Sequence, residues 1–252
     1  MKTLGRAFQV IELFLAGQSS ITLADITRSL GWNKATAFRL CKGLEQLGLL
    51  QRDGQGRFSL GPVALDLGTA YLAANPTRSR AVQVADALSR RTGATALICS
   101  LVGDEVLVVL TAEGDTPIKA AAHLGEHMPV HATAAGKAIA ASLTDNELDG
   151  LMHDYRFRTY LPRTISAAKR FQAELANVRK DGYSVALNEY HDGVFSVAVA
   201  LDRGLFARPA ALVAVLPAML APVDDPSELV EALRAARASL DPFDDVRRTS
   251  RQ

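Results

Sequence analysis

Residues 21–50 constrain this chain most, because a helix cap, a turn glycine and a second cap follow one another there at the spacing of two short helices around a tight corner. Thr22 is placed as an N-cap, with Asp25 three residues on to hold the free N–H groups of the first turn. Leu23, Ala24, Ile26, Thr27 and Leu30 give this helix one apolar face, and Gly31 permits the turn that follows. Asn33 then caps a second helix, Lys34 to Leu47, ended by Gly48. Ala37, Leu40, Cys41, Leu44 and Leu47 recur at helical spacing and are expected to face a core. Lys34, Thr36, Arg39, Lys42, Gly43 and Gln46 are left outside. Such a face suits the major groove: Arg and Lys bond guanine edges and phosphates, and Thr offers a methyl or a hydroxyl. A solvated amphipathic hairpin has the same pattern, since short αα-hairpins are common.

The next residues make the nucleic-acid reading more specific. Leu49-Leu50, a Gly-rich turn and an alternating run to Leu60 predict a two-stranded wing carrying Arg52 and Arg57. The candidate DNA contacts are Thr22, Lys34, Thr36, Ala37, Arg39, Lys42, Arg52 and Arg57, Ala37 belonging by its spacing to the core face as well. Charge is divided in the same sense. Residues 1–61 hold eight basic and four acidic side chains, and the remainder twenty and twenty-three, although the net charge of all 252 residues is only +1. A basic head on an acidic body is what a DNA-binding unit fused to a larger non-DNA-binding one shows; chance segregation would give the same modest difference.

Several classes are disfavoured. With 48% hydrophobic and 22% charged residues the composition is ordinary for a soluble protein of two domains. Cys41 and Cys99 make no disulfide framework, so reduced thiols and a cytoplasmic location are expected. No long apolar run suggests a membrane span, and Arg6, Gln9 and Glu12 interrupt any signal-peptide core at the start. His123, His127 and His131 stand four apart, but Gly125 and Pro129 break the helix that would align them for a metal. Glu189, His191 and Asp192 resemble acid/base groups, yet beside Gly193 they read as the polar residues of a hairpin turn. Ser196 has no nucleophile-elbow pattern, and no phosphate-binding Gly loop is present. Neither cofactor nor metal is expected.

The remaining elements follow in order. Thr3–Ala16 predicts a support helix with Leu4, Ala7, Phe8, Val10, Ile11 and Leu15 on one side. Gly61-Pro62 breaks the wing, and Val63–Ala74 predicts a linker helix of small and apolar surface, suited to packing against a partner chain and stopped by Asn75-Pro76. Arg78–Thr92 is expected as a helix with Val82, Val84, Ala85 and Leu88 inward. Thr95–Val102 and Glu105–Ala112 are strands joined by Gly103-Asp104, and Ile118–Ala122 is a third. Helices follow over Thr133–Leu143, from a Thr144/Glu147 capping box, and over Ala167–Asp181 with Ser166 as cap. Strands Tyr183–Asn188, Val194–Asp202 and Ala210–Leu216 precede a last helix from Asp225-Pro226-Ser227-Glu228 to about Leu240. These elements predict an α+β body with a mostly antiparallel sheet. The expected organisation is a winged helix-turn-helix over 1–61, a linker helix over 62–76, an α+β body over 77–240, to which the resemblance described next assigns effector binding, and a disordered tail over 241–252.

From about Leu4 to about Leu240 the chain resembles the IclR family of bacterial transcriptional regulators. Gly31-Trp32-Asn33-Lys34-Ala35-Thr36-Ala37-Phe38-Arg39-Leu40 is similar to the family's turn and recognition helix, and Gly56-Arg57-Phe58-Ser59-Leu60-Gly61 to its wing. Pro129–Ala138 (PVHATAAGKA) is similar to its "PLHATALGKA" run, and Arg163-Thr164-Ile165 with Glu174–Arg179 and Gly182-Tyr183 to the segment before its pocket strands. The resemblance implies a GAF-like effector-binding body, and dimers or tetramers on a palindromic double-stranded operator. It places pocket positions at Ala120, Met128, Ala134, Ala135, Ala186, Val194, Ser196, Val213 and Val215. Family members that bind small acids commonly carry an acidic residue where this chain has Ala186, a cysteine at Ser196 and serines along the strand of Val213 and Val215. An apolar or aromatic effector is therefore expected, the alternative being that these valines are plain core. Two functional classes stand: a ligand-responsive regulator, with repression of a catabolic or metabolic operon the expected output, and a hydrolase or ligand-modifying enzyme fused to a helical head.

Overall fold

The structure, a computed structural model, describes residues 2–15, 17–73, 78–114, 122–203, 205–206 and 208–240. The chain divides into two compact units, Met1–Asn75 and Pro76–Gln252.

In the first unit α1 (Lys2–Leu15) buries Val10 and Phe14, while Leu4, Phe8 and Leu15, expected on the covered side, stand exposed. The apolar stripe of α1 has two edges, and the core of this unit covers only one of them. In α2 (Leu23–Leu30) the capping box forms as expected: the Asp25 N–H donates to Thr22 Oγ1 at 3.1 Å, and the Thr22 N–H donates to Asp25 Oδ2 at 3.0 Å. Gly31 takes the left-handed conformation at φ 66°, which a side chain would resist. Asn33 Oδ1 accepts the Thr36 N–H at 2.8 Å and starts α3 (Lys34–Gln46). Leu47 is exposed rather than buried, because it lies past the last helical residue, where the chain is already leaving the core. Strands β1 (Leu50–Arg52) and β2 (Phe58–Leu60) pair antiparallel as the wing. Backbone bonds of 2.8 and 2.9 Å between Ile21 and Phe58 tie it to the entrance of α2. Ile21, Ile26, Ala37, Cys41, Leu44, Leu50 and Phe58 join Val10 and Phe14 in one core. Pro62 opens α4 (Pro62–Ala73), the first helical position being where its missing N–H costs nothing. Leu65, Leu67 and Tyr71 of α4 are exposed.

The second unit is built on one sheet. Helix α5 (Arg78–Thr92) precedes β3 (Thr95–Val102) and β4 (Glu105–Ala112). The expected strand Ile118–Ala122 falls mostly on residues outside those described, and Ala122 belongs to no strand. Instead β5 (His127–Pro129) pairs with β4. It escapes a sequence reading because it has three residues and ends in proline, which an edge strand tolerates. Next come α6 (Ala134–Ser142), α7 (Asp145–Met152) behind its Thr144/Glu147 capping box, and α8 (Ala168–Asp181). Ser166 is not the cap of α8; Ala167 holds that position without a side-chain bond. The last of the described strands and α-helices are β6 (Ser184–Leu187), β7 (Val194–Ala200), β8 (Ala210–Pro217) and α9 (Ser227–Leu240). The strand order is β5-β4-β3-β8-β7-β6, with every pairing antiparallel. Residues 74–76 of the linker and the tail 241–252 lie outside the described residues, as does Ala120. No helix among the described residues is long and apolar enough to cross a membrane.

Alternation along the strands sorts side chains onto two faces. Ile98, Phe195, Val197, Leu212 and Ala214 pack with Ala81, Ala85 and Leu88 of α5 and Leu229 and Leu233 of α9. Val82 stays partly exposed, since Ala81, Val84, Ala85 and Leu88 already fill the sheet-facing side of α5. Leu97, Cys99, Ala198, Val213 and Val215 face the other way, toward α6 and α8. A register shift between Ile98 and Cys99 leaves one extra residue in β4. It sends Val108 and Leu110, two apart, to opposite faces. Both faces are covered, so β8 is buried along its whole length. Each large apolar side chain so covered contributes about 1.5–3 kcal/mol. The cavity described next opens on the second face.

Candidate functional site

On α3 the side chains of Lys34, Arg39 and Lys42 are exposed, and Thr36 is half-buried. Ala37 is fully buried against the core and cannot reach a ligand, so its core spacing decides its place. Thr22 is half-buried with its hydroxyl engaged in the capping box. Arg52 and Arg57 are both exposed on the wing. The Arg52 guanidinium lies 5.5 Å from the Phe58 ring, and Arg57 Nε donates to Ser20 Oγ at 2.8 Å, so each is held in place. Phe38 is a further exposed side chain of α3 that the sequence reading does not single out. It stands 42% exposed beside Lys42, whose Nζ is 6.0 Å from its ring centre. An exposed aromatic in a run of basic residues was the available signal; such a ring can meet a thymine methyl.

In the second unit a cavity of about 490 Å³, counting its mouth, lies between the sheet and the start of α6. Met128, Ala134, Ala135, Ala186, Val194, Ser196, Val213 and Val215 all line it. The strands explain the grouping. Ser196 is opposite both Ala186 and Val215 in register, and Val213 lies two residues along the same face of β8. Thr133 caps α6 by accepting the Gly136 N–H at 3.1 Å, and Ala134 and Ala135 follow in its first turn, where free N–H groups favour an anion.

The wall is more polar than its strands imply, because Glu189, Tyr190 and His191 also line it. Glu189 Oε1 is 2.8 Å from Lys137 Nζ, and Glu174 Oε1 is 3.4 Å from the same ammonium. Lys137 is only 1% exposed, a fully buried cation held by carboxylates. Burial pushes the Glu189 carboxyl up, against the pull of Lys137. His191 Nε2 lies 3.2 Å from Glu126 Oε1. Burial alone would raise the Glu126 carboxyl; the contacts with His191 and His123 outweigh it and hold the group low. Cys99 also lines the cavity; burial, with the charge of Glu126, pushes its thiol up to about 12 and leaves it protonated and unreactive. The residue types of Glu189 and His191 and the neighbouring Gly193 suit a solvated turn, but Glu189 is nearly buried and His191 half-buried, held by the loops around Thr164 and Glu126, which lie far away in the chain. His123, His127 and His131 have separate partners, and among the described residues no group of three His, Cys, Asp or Glu could hold a metal.

Residues 3–54 match the model of the IclR helix-turn-helix domain, and residues 69–241 the model of the C-terminal part of bacterial IclR transcriptional regulators. The chain belongs to the IclR family. It is a DNA-binding transcription regulator with an N-terminal helix-turn-helix domain and a C-terminal effector domain. It is 31% identical to the HTH-type transcriptional regulator XynR of Escherichia coli K12 over 200 residues, 79% of each chain. An IclR transcriptional regulator from Silicibacter sp. TM1040 superposes with a TM-score of 0.83 at 29% identity, over 94% of both chains. An IclR homolog from Microbacterium hydrocarbonoxydans, solved with 4-hydroxybenzoate, superposes with a TM-score of 0.80 at 24% identity, over 94% of this chain and 97% of that one. The relatives are regulators, so the enzyme alternative is set aside.

Within this IclR-family body, one flank of the cavity is pinned by His131, fully buried between Val130 and Ala132. Its Nε2 faces the Arg158 carbonyl at 2.8 Å, so it carries the proton; Nδ1 then accepts from the Tyr155 hydroxyl at 2.7 Å. The neutral ring satisfies both contacts, and burial lowers the His131 pKa from its ordinary 6.5, against the Arg158 carbonyl. The unfolded chain therefore binds a proton that the fold refuses, and stability rises with pH in that window. The stabilisation is expected to be complete above pH 6.5 and to be lost as pH falls below it. Urea melts at pH 8, 6 and 5 check this, and His131→Asn should remove that part of the pH dependence.

Proposed function

We propose that this regulator acts as a dimer or tetramer on a palindromic operator, represses a catabolic or metabolic operon and responds to an apolar or aromatic effector held in the body's cavity. The observation that carries the ligand response is the cavity itself. Most of its lining is apolar, with a few polar groups converging on it, which is the make-up of a small-molecule site. Two- and three-carbon acids have too little apolar surface to gain from Val194, Val213 and Val215, each buried methylene being worth about 0.8 kcal/mol. The first turn of α6 can still take one carboxylate, which keeps aromatic acids within reach. That the Microbacterium homolog holds 4-hydroxybenzoate is in keeping with this class.

Self-association is supported by the exposed apolar residues Leu4, Phe8 and Leu15 of α1 and Leu65, Leu67 and Tyr71 of α4, a surface unusual for a monomer. Two-fold pairing would impose two-fold symmetry on the DNA. We assign base reading to the exposed face of α3, chiefly Arg39 with Lys34, Lys42 and the half-buried Thr36, and backbone contact to Arg52 and Arg57.

An operator titration tests the whole reading. Arg39→Ala is expected to cost about 1–3 kcal/mol and to relax one base position. Arg57→Ala should weaken all sequences alike and flatten the salt dependence. Benzoate-sized rings should shift operator occupancy where pyruvate and glyoxylate do not. Unchanged sequence selection by Arg39→Ala would refute the reading face, and a response confined to the short acids would refute the effector class.

A further inference from the structure

We infer that Glu189 selects the effector by accepting a hydrogen bond from a neutral hydroxyl carried on the effector's apolar ring. The inference rests on the cavity being the effector site and specifies what that site recognises. Among the described residues, Glu189 Oε2 is the one side-chain polar atom of the lining that is buried and without a hydrogen-bond partner. The other oxygen is occupied, 2.8 Å from the buried Lys137 ammonium. The backbone behind it is also held, since the Thr164 hydroxyl donates to the Glu189 carbonyl. A fixed carboxylate oxygen with no partner can only accept, so a complementary ligand must donate.

The surroundings narrow the donor. Lys137 already pairs with Glu189, and an ammonium would have to give up its water to enter a wall made largely of Leu97, Met128, Val194, Val213 and Val215, a larger cost than a hydroxyl meets. A carboxylate at this end would meet Glu189, with Glu174 close behind on Lys137. A hydroxyl on an apolar ring satisfies Oε2 without adding charge and lets the ring lie against the strands.

The test compares three rings of similar size by thermal shift and calorimetry on the full-length protein: 4-methylphenol, which donates; 4-methylanisole, which only accepts; and p-xylene, which does neither. Wild type is expected to bind 4-methylphenol at least about tenfold more tightly than the other two, the ratio of one hydrogen bond to a charged acceptor. In Glu189→Gln the amide oxygen stays on Lys137 and the amide NH₂ faces the cavity, so the advantage of the phenol over the anisole should vanish. Equal affinity for the three rings in wild type, or a phenol preference that survives Glu189→Gln, overturns the assignment to Glu189. If Val194→Trp, which fills the cavity from its margin, then abolishes binding, the effector-site reading still stands. Failure of all three rings to bind overturns both. The wild-type ranking needs no variant, so a poorly folded Glu189→Gln leaves the proposal open to refutation.

Discussion

Replacing Lys137 by methionine is expected to cost about 3–5 kcal/mol of folding stability, the loss typical of breaking a buried ion pair from one side. The ammonium is 1% exposed, and Glu189, whose side chain is 11% exposed, has no other cation within bonding distance among the described residues. Glu174 is 29% exposed and can turn to water, so the penalty falls on Glu189. Removing both charges should restore much of the stability, because two apolar side chains of similar volume avoid the desolvation that the pair has to offset. Urea unfolding of Lys137→Met, Glu189→Leu and the double variant measures the coupling directly. A Lys137→Met protein as stable as wild type, or a double variant no better than the single, would show that the pair is not what holds this wall. The pH response gives a second check. Without Lys137 the folded Glu189 carboxyl titrates still further above its unfolded value. The fold then keeps a proton that the unfolded chain releases, and stability falls as pH rises through that window. The variant should therefore lose more relative to wild type at pH 8 than at pH 5.

Gly136→Ala should cost about 2–3 kcal/mol and distort the cavity, although glycine to alanine inside a helix is ordinarily a gain of up to about 1 kcal/mol. A Cβ built on Gly136 would stand 2.1 Å from the Val130 carbonyl oxygen and 2.4 Å from the Val130 Cα. Both are backbone atoms, so no rotamer relieves the clash. Helix α6 would have to withdraw from the segment that carries Met128, Ala132 and Thr133 along the cavity wall. Gly150 of α7 is the control: a Cβ there meets nothing within 4 Å, and Gly150→Ala should be neutral or mildly stabilising. Thermal melts of the two variants, with ring-compound binding measured on each, separate a local clash from a general helix effect. Equal melting points for the two would remove the clash as a cause.

Local chemistry whose partners lie within one turn or one hairpin was legible in residue order, the Ser166 cap excepted. Thr22 with Asp25, Asn33 with Thr36 and Thr144 with Glu147 form their caps as read, and Gly103-Asp104 joins β3 to β4 at the residues expected. Period-two alternation put Val194 with Ser196, and Val213 with Val215, on one wall. These interactions span two to four residues, so composition and spacing alone determine them.

Where the partner is distant, residue order was silent or misleading. The apolar stripe of α1 shows that one side seeks cover, but not that Val10 and Phe14 find it within the unit while Leu4, Phe8 and Leu15 do not. Ala37 could be reader or core by type, and packing against the rest of the head decides for core. Lys137 sits among alanines in a small-residue helix, and its partners Glu174 and Glu189 come from α8 and from the loop after β6. The sequence by itself determined the helix-turn-helix, the wing, five of the six strands of the larger sheet and the apolar half of the cavity, because each depends on neighbours a few residues apart. Only the tertiary structure decided the polar half. A charge becomes affordable in a low-dielectric wall only when a distant loop delivers its counter-charge to hydrogen-bond distance, and no local pattern encodes that meeting.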